Sequence, residues 1–369
     1  MKKCLSFIFS ARNDRNLQKN DYLCAAFNID IMKKRTIRII VNPIAGVRPK
    51  TEIPALVKDV FVPEQFDVDY CETRYGGHAT ELAQEAATEG FDTVVAIGGD
   101  GTVNETARGL VGTKTAFGIV PMGSGNGLAR HLQLPLESEE AMRVVAGNHR
   151  QAIDYGKANE HIFFCTAGVG FDADISQKFA QAGQRGAFTY VREVIEHLRN
   201  YDPRTYSIYT DDERIRERAF LICVGNASQW GNDAKITPQA TMDDGLMDIT
   251  LIKPFPPAGV PQLVTQLFNG TINKNPNVLY FRSSHVRIVL PKETAVHVDG
   301  EPFEMKGVVD IQTIPAGLQV LTPAKPETQR LSNLRYGFEE VHYAILANLK
   351  KTIPNMPDIP PITKLLKTK

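Results

Sequence analysis

The sequence predicts an α/β protein in two parts, an N-terminal α/β nucleotide-binding domain with a parallel sheet followed by a C-terminal antiparallel β-sandwich. Three observations carry this. From Thr36 to about residue 150, short β-rich runs alternate with segments of helical period, the pattern of strands joined by crossover helices and covered on both faces. From about 151 to 323, strand-like runs dominate and only two helical inserts interrupt them, which suits a sandwich. Several early strands also end in glycine-rich turns, at the carboxyl edge where open α/β sheets hold ligands.

The elements follow in order. Residues 1–31 have no sustained period and are rich in Asn, Asp and Lys, so they are expected to be a disordered extension; the text restarts at Met32 as MKKRTIRIIVNPIAG, which itself resembles a protein start. TIRIIVN and FDVDYCET read as strands, and HATELAQEAATEG as a helix with Leu82, Ala83, Ala86 and Ala87 at helical spacing. Thr93–Ile97 is a short β-rich run, Val103–Leu110 a helix, Ala116–Val120 a strand and Glu137–Ala146 a helix. This first domain is expected over 32–150. The second, over 151–323, contains the runs HIFFCTAGV, RTYSIYT, AFLICVGN, GLMDITLI, HVRIVL, AVHVDG and VVDIQTI, with helical inserts near Ala187–Arg199 and Val260–Phe268. A basic tail over 324–369 holds an amphipathic candidate, Leu334–Leu349, and then the Pro-rich NMPDIPPI.

Composition narrows the function. Of 369 residues, 43% are apolar and 23% charged, a globular balance. No apolar run approaches the ~18 residues of a membrane span. The opening MKKCLSFIFSAR has a short apolar stretch cut by Arg12 and no small-residue cleavage site, so the chain is read as not exported. Five scattered cysteines without a CxxC pair suggest reduced thiols and a cytoplasmic setting. Lys+Arg and Asp+Glu are equal at 42 each, which argues against nucleic acid as the main partner. Both ends are basic, with eight Lys/Arg against three Asp/Glu in residues 1–35 and eight against four in 321–369.

The glycine turns point to phosphate. Gly98, Gly99 and Gly101 lie between the Thr93–Ile97 strand and the helix that follows, PMGSGNGLARHL follows the next strand, and VNPIAG ends the first. Amides at a strand-to-helix turn and the positive end of the helix dipole hold phosphate groups, and glycine permits close approach. Asp100 inside such a turn would repel a polyphosphate unless a cation stands between them, and magnesium takes oxygen ligands from carboxylates and phosphates. The sequence contains no GxxxxGK[ST] loop, HExxH or G-x-S-x-G elbow. The chemistry read from these residues is phosphoryl transfer from a magnesium nucleotide.

GGDGTVNE, PMGSGNGLA, IDYGK, MDDGLMDI and HVDGE, in this order over residues 36–323, resemble the diacylglycerol-kinase-like lipid kinase family, which includes sphingosine and ceramide kinases. The resemblance implies an NAD-kinase/phosphofructokinase-like nucleotide domain, a C-terminal sandwich and an active site between them, with ATP and Mg2+ as cofactors. It aligns Asn42, Pro43, Ile44, Ala45 and Gly46, Thr73, Gly99, Asp100, Gly101, Thr102, Val103, Asn104 and Glu105, and Ser124 with ATP-contacting positions. It places Asp100 and Asp154 in a catalytic metal network, and makes Asp299 or Glu301 the candidate base. It maps a structural magnesium to Asp244 with the backbone carbonyls of Thr241 and Leu246.

Bacterial diacylglycerol kinases often carry an acid where this chain has Gly127, so GSGNGLA looks closer to the sphingoid-base branch. His78 and His131, beside glycine loops, are read as structural, and Trp230 as a core or lipid-pocket aromatic. The implied partner is a lipid met by peripheral contact at a membrane surface, on its inner face. Leu334, Val341, Ile345, Leu346 and Leu349 can share one helical face ahead of Lys350, Lys351, Lys364, Lys367 and Lys369, an interfacial pattern. A homodimer is left open. The rival readings are an NAD kinase, which shares GGDGT, and a catalytically inactive nucleotide-binding regulator, in which Asp100, Asp299 and Glu301 would be expected to be lost.

Overall fold

The computed structural model of this protein describes residues 34–44, 51–182 and 201–324. The expectations for residues 1–31, for a helix near Ala187–Arg199 and for the tail helix therefore fall outside the described residues.

The N-terminal half is a parallel sheet with helices on both faces. β1 (Arg35–Val41), β2 (Phe66–Glu72), β3 (Thr93–Gly98) and β4 (Ala116–Pro121) lie in the order β2-β1-β3-β4, all parallel. Alternate side chains serve opposite faces, as strand geometry requires. Ile40, Val94, Ala96, Phe117 and Ile119 meet Ala79, Ala83 and Ala86 of α2 (His78–Glu89) and Val103, Ala107 and Leu110 of α3 (Asp100–Leu110). Ile37, Ile39, Val95 and Ile97 meet Ile53 and Val57 of α1 (Ile53–Val60) and Met142 and Val145 of α5 (Ser138–Gly147). Both faces are covered, so these strands read as almost unbroken apolar runs. A short helix, α4 (Gly127–His131), completes this half.

The C-terminal half is antiparallel. A six-stranded sheet runs β12 (Val278–Ser283), β11 (Met247–Ile252), β10 (Leu221–Gly225), β7 (Thr166–Gly170), β14 (Thr294–Val298), β15 (Glu301–Met305). It faces a second layer formed by β5 (Arg150–Ala158), β6 (His161–Phe163), β8 (Arg204–Tyr209), β9 (Arg214–Ala219), β13 (His285–Val289) and β16 (Val308–Leu321). Val169, Val224, Ile249 and Val296 from one layer and Tyr206, Ile208, Val286 and Ile311 from the other share one core. α6 (Phe171–Ala182) follows β7, and α7 (Val260–Asn269) lies between β11 and β12.

The two halves share a strand. β16 pairs antiparallel with β5 and β13, and its Val320 pairs parallel with Phe117 of β4, so the parallel strands and the second layer of the sandwich form one ten-stranded sheet. Its length is accommodated by a register shift between Ile314 and Leu318, where Ala316 takes φ +50°. Two of the expected strands divide. HIFFCTAGV breaks at Phe164 and Cys165, and AFLICVGN at Phe220.

Candidate active site

The carboxyl ends of the parallel strands are stitched to one another. Thr73 N–H donates to the Val41 carbonyl (2.8 Å), Asn42 N–H to that of Ile97 (3.3 Å) and Met122 N–H to that of Gly98 (2.7 Å). The VNP, ETR, GGDGT and PMGSGN turns therefore share one edge. Strand order reverses between β1 and β3, so their outgoing loops diverge and leave a crevice at the ligand-binding position of such sheets.

Two glycine loops are packed backbone to backbone at this edge. A Cβ on Gly123 would lie 2.7 Å from Gly99 Cα and 3.0 Å from Asn126 Oδ1, and one on Gly125 would lie 2.8 Å from Asp100 Oδ2. Asp100 closes the contact: its Oδ2 accepts the Asn126 amide (2.8 Å) and its Oδ1 the Gly127 amide (2.7 Å). Asn126 holds the second loop's shape in the left-handed region (φ +50°), its Oδ1 accepting from Gly123 N–H (2.9 Å) and its Nδ2 donating to Gly123 O (2.8 Å). Burial raises the Asp100 carboxyl above the usual range, while those two amides and Arg130 oppose the shift. Asp100 is thus first a latch between the loops. Each oxygen keeps a lone pair outside these bonds, which fits an ion held mainly by phosphates and water, not a protein cage.

The expected nucleotide residues divide by exposure. Gly101, Ser124, Pro43 and Ile44 are exposed, Asn42, Thr73, Gly99 and Glu105 half-buried, and Ala45 and Gly46 lie outside the described residues. Thr102, Val103 and Asn104 turn inward: Thr102 covers Gly98, where a Cβ would meet its Oγ1 at 2.7 Å, and Val103 joins the core. Their side chains pack the helix, and what remains of that stretch for a phosphate is the backbone at the start of α3. Glu105 also works within the protein, its carbonyl accepting from Thr80 Oγ1 (2.8 Å) in the first turn of α2.

The DGE motif forms a two-residue hairpin loop between β14 and β15. Asp299 (φ +49°) and Gly300 (φ +82°) both take positive φ, the type I′ arrangement that Asp-Gly favours. The turn places the Asp299 carboxylate over the break between β6 and β7, where it accepts the amides of Phe164 (2.8 Å), Cys165 (2.8 Å) and Thr166 (2.9 Å). Burial raises the Asp299 carboxyl, opposed by those amides and by Arg108. Cys165 connects the two motifs: burial, then Asp299, then Asp100 push its thiol well up, so both carboxylates are within electrostatic reach of one buried side chain. Glu301 is half exposed and pairs with Arg108 of α3 at 2.8 Å. An acid from the sandwich hairpin is thereby tied to the helix that the first glycine loop begins.

Two expected metal ligands have other work. Asp154 is buried, its Oδ1 accepting from Ala316 N–H (2.7 Å) at the β16 irregularity and its Oδ2 from Gly245 N–H (2.7 Å). It braces the shared strand and the DDG turn. Asp244 accepts from Thr241 Oγ1 (2.6 Å) and from the Leu246 amide (3.1 Å), and Arg282 closes on it while donating to buried Asp248 at 3.2 Å. Against burial, which would raise it, hydrogen bonds from Thr241 and Arg282 hold the Asp244 carboxyl below its usual range. A guanidinium thus brings positive charge to the turn where the resemblance implies magnesium, and Leu246 contributes its amide to the same carboxylate. Among the described residues no three His, Cys, Asp or Glu side chains gather as a metal site.

The sequence reading missed Arg108, Asn126, Arg130 and Asp233. Asn126 had a signal, since Asn in a glycine turn tolerates left-handed φ. Arg130 pairs with Asp233 (3.0 Å), and Asn232 N–H donates to Gly125 O (3.0 Å), so the Trp230–Asp233 turn buttresses the second glycine loop. No local pattern announces such contacts. Gly127 lies against the same buttress, where a Cβ would stand 3.3 Å from the Trp230 carbonyl. His131 accepts from Ser228 N–H (3.0 Å), and burial lowers its imidazole to about 4. His78 stacks on Tyr75 and accepts from Arg74 N–H (3.1 Å). Both contacts are structural.

Residues 36–158 match the diacylglycerol kinase catalytic domain, and residues 165–322 the YegS C-terminal NAD kinase beta sandwich-like domain. Among curated relatives, the chain is 28% identical over 277 residues to a diacylglycerol kinase of Staphylococcus saprophyticus, covering 73% of this chain and 90% of the relative. It is 27% identical over 271 residues to a diacylglycerol kinase of Bacillus subtilis, covering 72% and 89%. A crystal structure described as a diacylglycerol kinase from Bacillus anthracis shares the fold with a TM-score of 0.61 at 23% identity, covering 79% of this chain and 98% of that one.

Proposed function

Because this chain belongs to the diacylglycerol-kinase-like family, with its catalytic domain and a YegS-type C-terminal sandwich, we propose that it transfers the γ-phosphoryl group of ATP to a lipid hydroxyl. One observation carries the reading. Glu301 of the sandwich hairpin is held at 2.8 Å by Arg108 of α3, the helix that opens at the Gly98–Gly101 loop. A carboxylate and a phosphate-binding turn, 200 residues apart in the chain, are thereby linked through one helix.

In this reading the amides of the GGDGT and PMGSGN turns hold the triphosphate, and Asp100 fixes the two turns at the spacing their close-packed glycines allow. Magnesium travelling with the nucleotide would offset charge on the transferring group, with Asp100 the carboxylate that faces it. Glu301 takes the proton of the lipid hydroxyl, the hydroxyl oxygen forms the new bond to the γ-phosphorus, and ADP leaves with the electrons of the broken P–O bond. Asp299, with three amide bonds, anchors the turn that presents Glu301. The names of the curated relatives support a diacylglycerol acceptor.

Glu301→Gln tests the base. Turnover is expected to fall about 100-fold with ATP affinity within about twofold of wild type, since a base acts in the transition state more than on nucleotide binding. Turnover near wild type would overturn the assignment.

A further inference from the structure

We propose that α7 and the proline-rich turn before it form the face by which this protein rests on an anionic lipid bilayer. This rests on the lipid-kinase reading for its purpose, but on separate observations for its location. α7 buries Leu263, while Val264 and Phe268, four residues apart and so on one face, are 46% and 50% exposed. They are among the few large apolar side chains so exposed in the described residues. The turn leading in, Pro254 to Pro261, exposes Pro254, Pro256, Pro257 and Ala258 as well, making the patch continuous along the chain.

Charge selects the occupant. From Ile249 to Lys292 the sequence contains no Asp or Glu, in a chain that has 42 of them. Lys253 and Lys274 flank the patch, and the Lys235 stem lies along the end of α7, its Cδ 3.1 Å from where a Cβ on Gly270 would be. Lys253 meets Glu217 of β9 at 3.6 Å, and apolar side chains flanked by Lys235, Lys253 and Lys274, on a segment that itself contributes no acid, suit the headgroup region of an anionic leaflet. The patch also adjoins the candidate site. Lys235 N–H donates to the Leu267 carbonyl (3.0 Å), and the turn just before it, Trp230 to Asp233, buttresses the second glycine loop through Asn232 and Arg130. A kinase seated on α7 would have its phosphate loops one turn of chain from the surface that holds its acceptor.

The test is sedimentation of the full chain with vesicles of phosphatidylcholine, with and without phosphatidylglycerol, in the absence of ATP. Binding is expected to require the anionic lipid and to weaken about tenfold in Phe268→Glu and in Val264→Glu. Turnover on detergent-dispersed lipid should stay at the wild-type level, which also shows the variants are folded. Lack of lipid phosphorylation by wild type, with vesicle binding intact, would count against the kinase reading alone. Unchanged vesicle binding in both variants would overturn the proposal. So would binding lost only on removal of residues 325–369, or a wild-type dimer that Phe268→Glu converts to a monomer without loss of vesicle binding.

Discussion

Replacing Asp100 should damage the fold as well as the chemistry. Its two oxygens accept the amides of Asn126 (2.8 Å) and Gly127 (2.7 Å), and these are the side-chain bonds joining the two glycine loops. Amide bonds to a carboxylate contribute ~1.5–3 kcal/mol each. Relief of the carboxylate's desolvation offsets part of that, leaving a net loss of ~2–4 kcal/mol for Asp100→Ala. At ~1.3 °C per kcal/mol for 369 residues, the melting temperature should fall about 3–5 °C. Asp100→Asn keeps one acceptor and turns an amino group toward the other amide, so it should lose about half as much. Differential scanning calorimetry without nucleotide isolates the effect from catalysis. An Asp100→Ala melting temperature within about 1 °C of wild type would refute the latch and leave Asp100 a ligand group only.

His131 should give the protein an acid-sensitive component of stability. Its folded value of about 4 lies below the unfolded ~6.5, so the unfolded chain binds the proton first. The contribution, ~3 kcal/mol at most, is complete above pH ~6.5 and is lost as pH falls toward 4. Urea unfolding between those limits should show it, and His131→Asn, which keeps an acceptor for Ser228, should flatten it. Arg282→Ala leaves Asp244 and buried Asp248 without their cation and should cost ~1–3 kcal/mol, discounted for the exposure of the guanidinium. EDTA should leave the wild-type melting temperature unchanged, and a lowering would restore a structural metal at the DDG turn.

Much of the fold was legible because the parallel strands are buried on both faces and their helices have clear apolar stripes. Ile37 to Val41 and Thr93 to Ile97 could be little else, and α2 and α5 fall within a residue or two of their expected limits. β16 was not legible as a shared strand. VVDIQTI marks only its first half, and its pairing with Phe117 depends on a register shift set by Asp154 and Ala316, residues far apart in sequence. In the site, residue types were read more reliably than their tasks. Glycines expected to clear room for phosphate also clear room for each other, at Gly99 and Gly123. Asp100 and Asp299 stand out in their motifs, but the amides that hold them come from loops 26 and 133 or more residues away. Arg282 shows the limit most clearly, since nothing in MDDGL indicates that an arginine from β12 will supply its counter-charge.

Transfer of phosphate from ATP to a lipid hydroxyl is tested by following the phosphate itself. Purified protein would be incubated with γ-labelled ATP, magnesium, and either extracted membrane lipids or NAD, and the products separated into organic and aqueous phases and identified by mass spectrometry. Label is expected in a lipid phosphomonoester in the organic phase, and is expected to be lost in Glu301→Gln. Label recovered in NADP, or no acceptor-dependent loss of ATP with either substrate, would contradict transfer to lipid.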